Sequence, residues 1–101
     1  MRPGLGLLLF AAAATASAQD ARALQARSLA ASCAACHGTL GHGVDGATVP
    51  PLAGRPAAQI VEQFKALRSG ARSATVMAQI AKGYSDAQIE AIATLLAAEK
   101  P

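Results

Sequence analysis

The chain has 101 residues, room for one domain and little else. Its nine Lys and Arg are scattered among six Asp and Glu, for a formal charge of +3, so no basic stripe marks a nucleic-acid surface. Aromatic residues are only 3% of a composition that is 52% hydrophobic and rich in alanine, so side chains alone supply a thin core, which a disulfide or a bound cofactor is expected to complete.

Met1 and Arg2 make a short positive start, and residues 5–14 form an apolar run around Leu7, Leu8, Leu9 and Phe10. Ala16-Ser17-Ala18 then offers the small-x-small pattern cut by a signal peptidase. The run is too short to span a bilayer, which takes about 20 residues. These features predict a secretory signal over residues 1–18, cleaved after Ala18. Residues 19–101 are expected to form a single periplasmic domain without a membrane span. Losing Arg2 leaves that domain eight basic residues against six acidic ones.

Residues 20–36 read as a helix, with Asp20 favourable at its start and no Gly or Pro from Ala21 to Ala35. Leu24 and Ser28 share one side, with Leu29 near its edge. Residues 38–54 lose all periodicity: Gly38, Gly41, Gly43 and Gly46 lead into Pro50-Pro51, the texture of a long irregular loop wrapped around a ligand. Pro56 suits the first turn of a second helix carrying Ile60, Phe64 and Leu67, and Gly70 suits its end. Residues 74–82 read as one or two helical turns stopped by Gly83. Ser85 and Gln88 form a capping-box pattern ahead of the stripe Ile89, Ile92, Ala93 and Leu96. The fold class is all-α, three main helices and one short one.

Chemistry concentrates in Cys33-Ala34-Ala35-Cys36-His37, which holds both cysteines of the chain. Two thiols one helical turn apart can each add to a vinyl group of one haem, and the adjacent His37 is then placed as an axial iron ligand. Met77 is the sole methionine after residue 18 and is expected to supply the second axial ligand, a pairing that raises the reduction potential relative to two imidazoles. His42, five residues past His37 in a glycine-rich turn, reads as a solvent-exposed loop histidine. The Pro50 carbonyl is a candidate acceptor for the second N–H of the His37 ring.

These motifs resemble a class I c-type cytochrome over essentially the whole mature length: Cys33-Ala34-Ala35-Cys36-His37-Gly38, then Pro50-Pro51-Leu52, then Met77 ahead of a C-terminal helix. Finer likeness, in Pro51-Leu52-Ala53-Gly54, Glu62-Gln63-Phe64-Lys65, Ser69-Gly70 and the run Ile80-Ala81-Lys82-Gly83-Tyr84-Ser85-Asp86, is to the monohaem cytochrome subunit of flavocytochrome c sulfide dehydrogenase. One departure is Thr94-Leu95, where such proteins commonly carry an aromatic. The resemblance implies a cytochrome c-like fold whose N- and C-terminal helices cross, around one covalent haem c. It implies pocket walls from Leu52, Ile60, Phe64, Ile80, Ile92 and Leu96, with electrons crossing at the edge near Cys33 and Cys36, beside Ala34, Ala35 and Thr39. The expected function is one-electron transfer between periplasmic redox partners, a flavoprotein subunit or a terminal oxidase, cycling Fe(II) and Fe(III), not enzymatic turnover. The alternative is a haem subunit fixed to a sulfide-oxidising flavoprotein. Three other readings of the motif are weaker: a thiol–disulfide enzyme lacks its βαβ frame, a zinc module needs adjacent Cys36 and His37 as tetrahedral partners, and a small peroxidase would leave the Met77 position open.

Overall fold

The computed structural model describes residues 4–101, with side chains from Thr15 onward. Helix α1 runs unbroken over Gly4–Ala31, because no Gly or Pro interrupts the alanine-rich run from Leu7 to Ala31. The helix therefore begins well ahead of residue 20, and Asp20 lies in its interior instead of capping its start. The expected cleavage point after Ala18 falls within α1, while Met1, Arg2 and the side chains of the apolar run at 5–14 lie outside the described residues. Among the described residues no helix is long and apolar enough to cross a membrane.

The far end of the expected helix is also different. The chain turns at Ser32 and Cys33, and a separate one-turn helix, α2, covers Ala34–His37. The face that α1 buries carries Ala30 and Leu29, whereas Leu24 stays 67% exposed. A small residue at the contact lets α1 approach its neighbour closely.

Beyond a 3-10 turn at Thr39–Gly41, the chain stays irregular up to Pro56, which opens helix α3, Ala57–Ser69. Gly70 closes α3 in the left-handed conformation, φ 85°, that glycine adopts without penalty. Ile60, Phe64 and Leu67, spaced at i, i+4 and i+7, are its buried residues. Helix α4 is the short element Met77–Ala81. Helix α5, Asp86–Ala98, starts with the anticipated capping box: Gln88 N donates to Ser85 Oγ at 3.2 Å, and Ser85 N donates to Gln88 Oε1 at 2.9 Å.

Ile89, Ile92 and Ala93 are completely buried and Leu96 nearly so, and they form the centre of the core. Each large aliphatic chain buried in this way contributes roughly 1.5–3 kcal/mol of transfer free energy. Helix α5 packs against both α1 and α3, and α3 against α4, so the terminal helices cross as the resemblance implied. Leu95 packs partly against the core beside an exposed Thr94. Among the described residues the architecture is entirely helical, and it is a cytochrome c-like fold.

Candidate functional site

The break after α1 sets the geometry of the motif. His37 N donates to Cys33 O at 2.9 Å, so one helical turn holds Cys33, Cys36 and His37 together. Gly38 then takes φ 82° and ψ 162°, a region essentially reserved for glycine, and the chain leaves the helix at once. Gly43 N returns to donate to His37 O at 2.7 Å. Gly41 O accepts from both Leu52 N, at 2.7 Å, and Ala53 N, at 3.0 Å, which pins the proline segment beside the motif.

That folding-back brings the Pro50 carbonyl within 2.7 Å of His37 Nδ1. A carbonyl oxygen only accepts, so Nδ1 carries a proton, and in the neutral ring the lone pair is then on Nε2. The imidazole is buried, 8% exposed, with its Nδ1 edge held against that carbonyl.

A cavity of about 510 Å³ opens beside it. Cys33, Cys36 and His37 contribute one part of its lining, Pro50 and Leu52 a second, Ile60 and Phe64 of α3 a third, and Met77 and Ile80 of α4 a fourth. The structure thus gathers the candidate attachment, ligand and pocket residues of these four segments around one cavity. Ile92 and Leu96 are the exceptions. They are not in the lining, because α5 turns its apolar stripe into the crossing with α1 and α3. His42 also lies elsewhere, exposed, with Nε2 3.4 Å from Glu99 Oε2.

Neither cysteine is in a disulfide. Burial pushes the Cys33 thiol up from its ordinary value, opposed in part by a hydrogen bond from Ser32. Cys36 is exposed. Among the described residues no three His, Cys, Asp or Glu side chains converge as ligands for a metal ion, so Cys33, Cys36, His37 and His42 do not assemble the zinc alternative.

Several lining residues were missed from the sequence. Gln59 and Gln63 sit one turn apart on α3, directly beside Ile60 and Phe64, and that i, i+4 repeat was a usable signal. Arg55, Arg72 and Val76 lie in aperiodic stretches and carried none. Val76 is 61% exposed and Ile80 41%, apolar surface at the cavity that a bound apolar group would cover.

The donor set fits a haem. It comprises two thiols one turn apart, an imidazole with its lone pair at Nε2, a thioether on a different element, and an apolar cavity within the roughly 300–1,000 Å³ range of cofactor sites. Fold and site together define an electron-transferring haem domain of the cytochrome c class. Residues 13–96 match the family described as "Cytochrome C oxidase, cbb3-type, subunit III", and the chain belongs to that family.

Two curated relatives are similar to it, each named "Thiosulfate dehydrogenase electron acceptor". The protein of Thiomonas intermedia (strain K12) is 42% identical over 67 residues, 66% of this chain and 31% of the relative. That of Stutzerimonas stutzeri (strain A1501) is 42% identical over 66 residues, 62% of this chain and 30% of the relative. The match therefore spans about a third of the length of these relatives.

Proposed function

We propose that this chain is a one-electron carrier working in the periplasm, with a single haem c joined covalently to Cys33 and Cys36 and ligated by His37 and Met77. The observation that carries the reading is the convergence of both thiols, the Pro50-bound imidazole and the Met77 thioether on one cavity. When bound, the haem supplies a one-electron iron couple whose potential thioether ligation raises.

The remaining work falls to the protein. The Pro50 carbonyl orients the His37 ring and increases the basicity of Nε2. Ile60, Phe64 and Leu67 supply a buried apolar wall that keeps water from that side of the cavity. Ala35, Cys36 and Thr39 are exposed, and their small side chains let a redox partner approach the attachment edge. Encounters of this kind are small and transient.

For the electron donor, the names of the relatives favour a thiosulfate dehydrogenase over the sulfide-oxidising flavoprotein. The test is to export the protein through a haem-attachment system and record oxidised and reduced absorption spectra, after denaturing electrophoresis. Retained haem with a weak long-wavelength band in the oxidised form, lost in Met77→Ala, is the expected result. Haem-free protein would return Cys33 and Cys36 to thiol chemistry. Rapid reduction by a thiosulfate dehydrogenase with its substrate, and slow reduction by a sulfide-reduced flavoprotein, would distinguish the donors.

A further inference from the structure

Tyr84 takes no part in the cavity lining, yet it is held at three points. Its ring meets Phe64 edge-on, with centroids 5.8 Å apart at 78°. Its carbonyl accepts from Arg68 Nη1 at 3.1 Å. Its hydroxyl lies 2.7 Å from Ser32 Oγ. Ser32 Oγ also reaches Leu29 O at 3.1 Å, and either hydroxyl of the Ser32–Tyr84 pair can donate to the other.

The two joined residues belong to different walls of the site. Ser32 is the turn residue between α1 and Cys33, and it lines the cavity. Tyr84 sits in the link between α4, which begins at Met77, and α5. One hydrogen bond thus ties the attachment segment to the Met77 segment across 52 positions of sequence. Apart from its packing on α3, α4 has few restraints of its own. It has five residues, no side-chain cap, only Ala81 buried, and an exposed approach from Ala71 to Val76.

We infer that Tyr84 is a positioning residue for Met77: its hydroxyl, through Ser32, holds α4 against the attachment segment and keeps the thioether seated against competing ligands. This rests on the cytochrome reading above. Tyr84→Phe preserves the ring contact with Phe64 and removes only the hydroxyl.

The experiment titrates the oxidised, haem-loaded protein with imidazole, following the Met77-dependent band. Net hydrogen-bond values translate into apparent imidazole binding about two- to fivefold tighter in Tyr84→Phe, the lower part of the range because this contact is exposed. Ser32→Ala should match it, and the double variant should exceed neither, since both remove the same contact. Ala93→Gly, which weakens α5 away from this contact, should lower the melting temperature and leave imidazole affinity unchanged. Unchanged affinity in Tyr84→Phe, or additive effects of the two substitutions, would overturn the inference. A wild type lacking the band would overturn the ligand assignment itself. Hydrogen exchange of amides 77–84, faster in Tyr84→Phe if the hydroxyl restrains α4 and unchanged if it does not, separates the two failures.

Discussion

The Nδ1–H of His37 points at the Pro50 carbonyl oxygen, 2.7 Å away and thirteen positions along the chain. That contact depends on a loop that reverses twice in a few residues. Gly38 makes the first reversal, and the two amides on Gly41 O hold the second. The ring orientation is therefore a property of the loop backbone as much as of the histidine.

Gly38→Ala tests that dependence. A β-carbon there would sit 2.1 Å from the backbone O of Gly43, the residue whose own N–H donates to His37 O, so that hydrogen bond would be disturbed if Gly43 moved aside. The strained φ adds to the clash. The variant should lose at least about 2 kcal/mol of stability. Denaturant unfolding would show it, together with poorer haem incorporation.

The thiols should differ in the haem-free protein. Cys33 is half-buried and burial holds its thiol above the ordinary range, so less of it is thiolate at neutral pH. Cys36 is exposed. Iodoacetamide should therefore modify Cys36 first, as read by mass spectrometry of digests taken over time. Equal rates would mean that access and burial do not separate them.

Asp86 links stability to pH. The hydrogen bond from Arg68 Nη2, at 2.5 Å, is the main cause holding its carboxyl below the ordinary aspartate value, and the charges of Arg68 and Lys65 add to it. A carboxyl with a lower pKa folded than unfolded stabilises the fold above the unfolded value, about 3.9. That stabilisation is lost as pH falls through the folded pKa. The melting-temperature gap between wild type and Asp86→Asn should be widest above about pH 4 and close below it. A gap independent of pH would mean that the carboxylate's charge is not the source.

Phe64→Ala removes a side chain that is 5% exposed, lines the cavity and meets Tyr84 edge-on. Such a truncation should cost about 3–5 kcal/mol. Urea unfolding would measure it, and a loss below about 1 kcal/mol would show that the site collapses to fill the gap.

Much of this protein was legible because its signals are local. The Cys33–His37 motif occupies five consecutive residues, and thiols one turn apart need no tertiary information to be recognised. Ser85 and Gln88 marked the start of α5, and the spacing of Ile89, Ile92, Ala93 and Leu96 marked its buried face, because helix periodicity is written within a few turns. The donation from His37 to the Pro50 carbonyl could be anticipated because a ligating imidazole usually gives its other N–H to a carbonyl, and the proline segment follows closely in sequence.

Tertiary structure decided what those faces meet. Periodicity identified an apolar stripe on α5 but not that α1 and α3, rather than the cavity, would cover Ile92 and Leu96. It suggested a helix over 20–36, whereas packing places a turn at Ser32, where Tyr84 arrives from far along the chain. Arg55, Arg72 and Val76 reach the cavity from stretches with no repeat at all. Local sequence fixes backbone propensity and the polarity of a surface. Only the summed packing of distant segments selects which of those surfaces become neighbours.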